Sequence, residues 1–352
     1  MENVYEQRLT GLYESFGYSR FRTTKFEPYE LYSFNRDFLR SGRIITFTDL
    51  DGSLKALKPD ITLSVVKNSG GTPGKLYYLE TVYRPRDHRF AELRQAGVEC
   101  LGTVDDYSLC EVVALAAKSL LCFADPGRAA GEGGSAFLLL SDLELLGAVF
   151  DAFGVPDGAK SELTALFEAK NADGISSFCA KYGIEGADSL RELARLFLPL
   201  DEGLKRLGEL CPAAVPKAER LRELSVTAEL FGVRELLRLD LSTAGNLDYY
   251  NGLIFRGVVA GVPFNVLSGG QYDLLPARMG SPLGAVGFAV YLDEVENSIG
   301  APVNARPDEI LLYNDEKSLK NAALRANELR AAGRKVLVMN EAEYEKSASK
   351  RR

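Results

Sequence analysis

The sequence has no tryptophan and a single histidine, His88, among its 352 residues. A zinc site of the H-E-x-x-H type needs two histidines and is therefore excluded, and a histidine-centred triad would have to be built on His88. No two of the five cysteines form a C-x-x-C pair, which argues against a zinc ribbon or a thioredoxin-type site. We therefore expect no metal site, and buried thiols in a reducing compartment. The cysteines are Cys100, Cys110, Cys122, Cys179 and Cys211.

Long apolar runs are also missing, because no stretch approaches the roughly 18 apolar residues of a membrane span. The first eight residues include three charged side chains and lack the apolar core of a signal peptide. We therefore expect a cytoplasmic protein that does not contact the membrane. A net charge of −7 argues against a protein whose main function is to bind nucleic acid, although it does not exclude a local basic cleft. The length predicts about two domains of roughly 150 residues each.

Periodicity predicts the main elements. Apolar residues spaced as on one helix face, from Leu9 to Phe16, predict an N-terminal helix that ends at Gly17. Further predicted helices cover 60–68 and 108–123, and a helix-rich stretch covers 143–234. Strands are predicted at 44–48 and 53–57 around the turn Asp51-Gly52, at 76–83 and 96–101 around a long charged loop, and at 238–241, 253–260 and 263–267. The segment 125–135 is predicted to be a flexible connection.

Strands and helices are segregated along the chain, which is typical of the α+β class. We expect a core in two parts, 1–142 and 236–300, with a helical insertion at 143–235 between them. The last segment, 301–352, has a strand–helix–strand pattern and is predicted to be a short βαβ-like tail. No internal repeat is visible.

Several segments could carry chemistry. The run from Gly70 to Leu76 does not fit a phosphate-binding loop, because its glycine spacing is short and Leu76 stands where Ser or Thr should be. The arginine-rich stretch Arg84–Arg89 fits a solvated loop or an anion site equally well. Glu99, on a probable strand, points either to solvent or an arginine, or into a ligand pocket. Gly269-Gly270 in a strand favours close approach of a ligand or another backbone.

Taken together and in order, six segments resemble the catalytic domain of class II histidyl-tRNA synthetases. The resemblance covers roughly residues 5–125 and 236–298, and it implies an antiparallel sheet flanked by helices, in a homodimer. The segments are Phe47-Thr48-Asp49, Leu57-Lys58-Pro59-Asp60-Ile61-Thr62, Tyr83-Arg84 with Gln95-Ala96-Gly97-Val98-Glu99, Leu247-Asp248-Tyr249-Tyr250, Gly269-Gly270-Gln271-Tyr272-Asp273 and Ala285-Val286-Gly287-Phe288-Ala289.

The departures from that family concern the groups that activate the amino acid. Gly245 and Glu294 stand where the family has arginines that act on the histidine carboxylate and the ATP phosphates. Arg86 replaces a glutamate, and Gln271 replaces another arginine. Loss of one preorganised cation costs on the order of 3–4 kcal/mol of transition-state stabilisation. We therefore expect no amino-acid activation. The segment 301–352 is also expected to be too short for a complete anticodon-binding domain.

The family's histidine pocket, by contrast, is mostly kept. The resemblance assigns the α-ammonium to Asp60, the α-carboxylate to Arg84 and the imidazole to Glu99 and Tyr250. A pocket that hydrogen-bonds an imidazole rejects analogues strongly. The predicted histidine-binding residues are Asp60, Thr62, Arg84, Gln95, Glu99, Tyr249, Tyr250 and Tyr272.

Binding without activation resembles the family of ATP phosphoribosyltransferase regulatory subunits, which are catalytically inactive synthetase paralogues. The resemblance implies a non-catalytic protein of histidine biosynthesis that needs no cofactor and binds no tRNA. It also implies a short-form catalytic subunit as partner, in a hetero-octamer of four and four, with L-histidine as feedback effector. An active histidyl-tRNA synthetase and another synthetase-like paralogue remain as alternatives.

Overall fold

The computed structural model describes residues 4–39, 44–86, 89–123, 136–244, 249–299 and 308–349. His88, Gly245 and the predicted connection at 125–135 lie outside these ranges. The chain forms two units, Val4–Ala301 and Pro302–Arg352. The four predicted segments, with their boundaries at 142, 235 and 300, remain a prediction.

The first unit begins with a helix and a small separate sheet. Its elements are α1 (Val4–Ser15), β1 (Ser19–Arg20), β2 (Phe26–Pro28), α2 (Tyr29–Ser33), β3 (Thr46–Thr48), β4 (Leu54–Leu57) and α3 (Thr62–Ser69). Gly17 follows α1 with a φ of 80°, a left-handed conformation that ends the helix as predicted. Strands β3 and β4 pair antiparallel across Asp51-Gly52, which confirms the predicted hairpin.

A long hairpin and a buried helix come next. They are β5 (Gly74–Arg86), β6 (Arg89–Gly102) and α4 (Asp106–Leu121). The predicted long charged loop is wrong, because β5 and β6 stay paired as far as Arg86 and Arg89. Strand pairing needs only an extended backbone, so solvated charged side chains do not interrupt it.

The middle of the chain is helical, as predicted, apart from three short strands. The elements are β7 (Ala136–Asp142), α5 (Leu143–Ala152), α6 (Lys160–Glu168), α7 (Ala172–Tyr182), α8 (Ala187–Ala194), β8 (Leu198–Pro199), α9 (Leu200–Leu210), α10 (Glu219–Leu230) and β9 (Leu237–Leu239). Asp142 caps α5 by accepting from the backbone N–H groups of Glu144 and Leu145. This cap marks the change from strand to helix.

The rest of the first unit returns to the sheet. Its elements are β10 (Leu253–Val259), β11 (Leu267–Gln271), α11 (Leu274–Arg278), β12 (Gly284–Tyr291) and α12 (Leu292–Ile299). The strand predicted at 263–267 is wrong, since β11 begins at Leu267 and contains Gly269 and Gly270. These glycines oppose Phe288 and Gly287 on β12. The strand is therefore formed where the backbones approach closely, and not at the more apolar residues 263–267 on which the prediction was based.

Within the described residues, nine strands form the main sheet, in the order β1-β5-β6-β12-β11-β10-β7-β9-β8. The pairs β1–β5 and β7–β9 are parallel and the remaining pairs are antiparallel, so the sheet is mixed rather than wholly antiparallel. The large β-sheet flanked by helices agrees with the predicted α+β class.

The two faces of the sheet carry different side chains, because successive strand residues point to opposite sides. On β6, Ala96, Val98 and Cys100 join the core that includes α1 and α4. Gln95 and Glu99 lie on the other face, where α2, α3 and α11 contribute a second, smaller core. The candidate site lies on this second face.

The second unit contains β13 (Glu309–Tyr313), α13 (Glu316–Ala331), β14 (Val336–Asn340) and α14 (Glu341–Ser349). Strands β13 and β14 are parallel, with α13 connecting them, which matches the predicted strand–helix–strand pattern. Asp315 and Ser318 form a capping box at the start of α13. Helix α14 was not predicted, since its charged sequence has no apolar stripe.

Helix α4 offers a direct test of the main core. Leu115 is completely buried in the middle of α4, whereas Leu121, at its end, is 42% exposed. We expect Leu115→Ala to lower the free energy of unfolding by about 2–5 kcal/mol, because it leaves a cavity. Leu121→Ala should change it by about 0.5 kcal/mol or less. Urea denaturation followed by circular dichroism measures both, and equal losses would contradict the packing described.

Candidate functional site

A cavity of about 1010 Å³ opens on the sheet face opposite α1 and α4. Its floor is formed by β6, β10, β11 and β12, and its inner end by the start of α3. All eight residues predicted to bind histidine line this one cavity: Asp60, Thr62, Arg84, Gln95, Glu99, Tyr249, Tyr250 and Tyr272. The fold therefore brings together residues that lie more than 200 positions apart in the sequence, although their contact with a ligand remains a prediction.

Glu99 lies on β6, the third strand of the main sheet, and is only 2% exposed. The Thr62 hydroxyl donates a hydrogen bond of 2.8 Å to Glu99 Oε1, and the Tyr272 hydroxyl donates to Glu99 Oε2. Burial raises the pKa of Glu99 to about 8, and these two hydrogen bonds oppose the shift without cancelling it. The carboxyl can therefore accept or release a proton near physiological pH.

Glycines on neighbouring strands make room for this arrangement. Gly287 lies opposite Glu99 on β12, and a Cβ there would collide with Glu99 Oε2. At Gly270, a Cβ would lie 2.7 Å from the Tyr250 ring. The close approach predicted for the Gly-Gly pair is therefore present, and it is made by protein groups around the cavity.

Asp60 and Arg84 form the polar inner end of the cavity. Asp60 Oδ1 accepts from the backbone N–H of Leu63 at 3.2 Å, which fixes the carboxylate at the start of α3. Its Oδ2 lies 3.3 Å from Arg84 Nη2, and Arg84 Nε donates to the Pro59 carbonyl at 2.6 Å. Opposite charges this close suit a zwitterion, since an α-ammonium can contact Asp60 while an α-carboxylate contacts Arg84.

Aromatic side chains form the wall next to Glu99. The ring centroids of Tyr249 and Tyr250 are 4.6 Å apart, and those of Tyr249 and Tyr272 are 5.6 Å apart. Burial raises the pKa values of Tyr249 and Tyr272 well above the ordinary value, so both remain neutral hydroxyl groups. This wall can pack against a planar ring and hydrogen-bond its edge.

The outer end of the cavity is acidic, and sequence reasoning missed most of it. Arg94 Nε donates to Asp293 Oδ1 at 3.0 Å, and its guanidinium also contacts Glu6 and Glu296. Glu294 lines the cavity beside this cluster. The pairing joins β6 to α1 and α12, and no pattern in the sequence connects those three segments.

The arginines of the described lining are all paired with carboxylates. Besides Arg84 and Arg94, only Arg256 lines the cavity within the described ranges, and its guanidinium lies 3.6 Å from Glu168. Gln271, at the position of a family arginine, donates to Asp273 at 2.6 Å and so supports the turn after β11. A triphosphate would therefore meet carboxylates and already neutralised arginines here.

Two searches of the described ranges were negative. No group of three or more His, Cys, Asp or Glu side chains in them is arranged to hold a metal ion. Nor do those ranges contain a helix with the length and apolar character that a membrane crossing requires.

The histidyl-tRNA synthetase family model matches residues 2–295. An ATP phosphoribosyltransferase regulatory subunit of Caldanaerobacter subterraneus subsp. tengcongensis is 31% identical, over 93% of this chain and 87% of the relative. A Bacillus halodurans structure described as an ATP phosphoribosyltransferase regulatory subunit/histidyl-tRNA synthetase is 23% identical, with a TM-score of 0.73, over 96% of this chain and 88% of that one.

A chain of the Thermotoga maritima ATP phosphoribosyl transferase (HisG:HisZ) complex also shares the fold. Its TM-score is 0.63 at 17% identity, and the match covers 82% of the present chain and 96% of that chain.

The pKa of Glu99 predicts a pH dependence of stability. Because this pKa lies above its ordinary value of 4.5, the carboxyl binds its proton more tightly when the protein is folded. Stability is therefore lost as the pH rises from 4.5 towards 8, by up to about 1.4 kcal/mol per pH unit. The neutral side chain of Glu99→Gln should remove this loss. The free energy of unfolding of the variant should therefore rise relative to that of the wild type between pH 5 and 8.5.

Urea unfolding at several pH values measures the effect. The matched control is Glu92→Gln, an exposed position on the same strand. Parallel pH curves for wild type and Glu99→Gln would contradict the raised pKa.

Proposed function

The chain belongs to the histidyl-tRNA synthetase family, among its ATP phosphoribosyltransferase regulatory subunits, and from this premise we propose that it senses free L-histidine in the cytoplasm. In this proposal the cavity binds the amino acid, and a short-form ATP phosphoribosyltransferase catalytic subunit is activated by the chain and inhibited when histidine is bound. The observation that carries the proposal is one cavity whose inner end holds the Asp60–Arg84 ion pair beside tyrosines and a buried glutamate, and whose outer end is acidic.

Histidine fits the inner end of the cavity group by group. The α-ammonium contacts Asp60 and the α-carboxylate contacts Arg84, so the ligand takes a place in the ion pair that these residues form with each other. The imidazole lies against Tyr249 and Tyr250, and its N–H donates to the Glu99 carboxylate. Since Thr62 and Tyr272 already orient that carboxylate, binding costs little further side-chain entropy at Glu99.

The same cavity does not support adenylation. Attack on ATP needs cations at the developing phosphoryl charge. Arg84 is assigned here to the α-carboxylate, and the other arginines of the described lining, Arg94 and Arg256, are held by carboxylates. Glu294 adds negative charge at this end. We therefore infer a regulatory protein without catalytic activity of its own. We also propose that it needs no cofactor and binds no tRNA.

The proposed partner is the short-form catalytic subunit. The Thermotoga maritima complex supports this choice, because its matching chain shares the fold over almost its whole length. We propose a hetero-octamer of four regulatory and four catalytic chains built on a regulatory homodimer. Feedback then requires that histidine bind two states of the assembly with different affinities, a coupling of typically ~1–3 kcal/mol.

Co-expression with a short-form catalytic subunit tests the assembly. We expect one complex with the mass of four and four chains by light scattering, and phosphoribosyltransferase activity that histidine lowers. Absence of a complex, or activity that ignores histidine, would overturn the regulatory role. Histidine-dependent ATP–pyrophosphate exchange by the purified chain would instead favour an active synthetase.

The contribution of Glu99 to histidine binding can be measured on the purified chain. We expect Glu99→Gln to weaken binding by about 1.5–3 kcal/mol, because a hydrogen bond to a charged group is lost. Isothermal titration calorimetry at pH 8.5, where the wild-type carboxyl is largely ionised, provides the measurement. Glu92→Gln, outside the cavity, should bind as the wild type does; unchanged affinity in Glu99→Gln would remove Glu99 from the pocket.

A further inference from the structure

Lys58 is completely buried although it lies outside the cavity. It directly precedes Pro59 and Asp60 in the sequence, and neither Lys58 nor its partner Glu80 belongs to the described cavity lining. Within the ranges that the structure describes, no other lysine is buried. Lys58 Nζ lies 2.8 Å from Glu80 Oε2, and the Glu80 side chain is 16% exposed. Taking an ammonium group out of water is costly even when it is paired, which sets this ion pair apart from those at the surface.

The segment 58–60 is attached to the edge of β5 that does not pair with β6. The backbone N–H of Tyr83 donates to the Lys58 carbonyl at 2.9 Å, and the Lys58 N–H donates to the Lys25 carbonyl at 3.0 Å. The backbone of Lys58 is therefore held on both sides, immediately before the chain reaches the cavity at Asp60.

Two ion pairs join this segment to β5. Lys58 pairs with Glu80 outside the cavity, and two residues later Asp60 pairs with Arg84 inside it, at 3.3 Å. Glu80 and Arg84 are four positions apart on β5, so their side chains point to the same side of the sheet. The two pairs therefore link the same stretches of chain, one beside the other.

A zwitterionic ligand affects these two pairs differently. Under the proposed function, its charged α-groups take places between Asp60 and Arg84 and weaken the direct contact of these residues, whereas the Lys58–Glu80 pair stays as it is. We propose that Lys58 is a positioning residue, whose ion pair with Glu80 keeps Asp60 and Arg84 at a fixed separation while the ligand lies between them. This inference rests on the proposed histidine site and extends it to a residue that does not touch the ligand.

The burial of the Lys58–Glu80 pair makes it a firm link. Exposed ion pairs contribute little, because water and salt screen them, whereas the Lys58 side chain is fully enclosed. Glu80 is held from a second side, since its Oε1 accepts from the backbone N–H of Thr23 at 3.4 Å. Binding groups must stay within about 0.5 Å of their productive geometry, and a paired, enclosed side chain two residues from Asp60 supplies that constraint.

A double substitution tests the proposal without leaving a buried charge unpaired. Lys58→Met/Glu80→Gln replaces the ion pair by neutral side chains of similar size, a change that buried ion pairs often tolerate. The matched control is Lys75→Met/Glu111→Gln, which removes an ion pair of 2.7 Å between β5 and α4, on the face away from the cavity. Urea denaturation shows first that both variants are folded.

Two ligands separate positioning from general loosening of the cavity. They are histidine, measured by calorimetry, and 4-methylimidazole, which has the ring without the charged α-groups and is measured by ligand-observed NMR. We expect Lys58→Met/Glu80→Gln to bind histidine about 10–100-fold more weakly, the range for one hydrogen bond to a charged group, and to bind 4-methylimidazole as the wild type does. The control variant should bind both ligands like the wild type.

Unchanged histidine affinity in Lys58→Met/Glu80→Gln would overturn the proposal, and so would an equal loss for both ligands. If the wild type itself binds no histidine, the proposed function fails first, and that result is obtained before any variant is compared. If the wild type binds histidine and the variant binds it equally well, only the role of Lys58 is refuted.

Hydrogen exchange reports on the same link directly, including the case in which the ring alone binds too weakly to measure. The Tyr83 amide donates to the Lys58 carbonyl, so its exchange rate follows the attachment of the segment to β5. At saturating histidine, we expect this amide to exchange about 10-fold faster or more in Lys58→Met/Glu80→Gln than in the wild type, while amides of α4 keep their rates. Equal exchange rates at Tyr83, or faster exchange throughout α4, would contradict a positioning role.

Discussion

A carboxyl group buried on the cavity face of the main sheet is the constraint on which the rest of the site depends. Glu99 could not stay there unless hydrogen-bond donors reached it, and Thr62 and Tyr272 come from a helix start and a loop on either side. It could not fit unless Gly287 faced it. The cavity, the raised pKa of Glu99 and the aromatic wall all follow from holding one acidic side chain at this point.

The two ends of the cavity differ in their balance of charge. At the inner end, Asp60 and Arg84 balance each other and leave room for a ligand that carries both charges. At the outer end, Asp293 and two glutamates surround Arg94, so that its positive charge is fully used within the protein. Under the proposed function, one scaffold keeps the recognition of an amino acid and loses the means to activate it, because the two tasks rest on different residues at different ends of the cavity.

Much of this could be predicted from local pattern. The hairpin at Asp51-Gly52, helix α1 and the strand–helix–strand tail follow from periodicity and turn residues, which act over a few positions. The eight pocket residues came from motif resemblance, which carries long-range information that periodicity lacks. What could not be predicted depends on register. Gly97 faces the buried Tyr78 across the β5–β6 pair, and the length over which these strands stay paired depends on a hydrogen-bond ladder that sequence alone does not show.

The pairing of β6 with β12 also sets an order of events during synthesis. Strand β6 ends at Gly102 and its neighbour β12 begins at Gly284, so roughly 180 further residues must be synthesised before the two strands can pair. At translation rates of about 5–20 residues per second, that wait lasts roughly 10–40 s. The helices between α5 and α10 make mostly local contacts and can form in the interval, whereas the ligand cavity cannot exist before the last strand is in place. Until β12 is made, the edge of β6 that pairs with it is open, and the cavity that β12 helps to line becomes available to a ligand only once this part of the chain is complete.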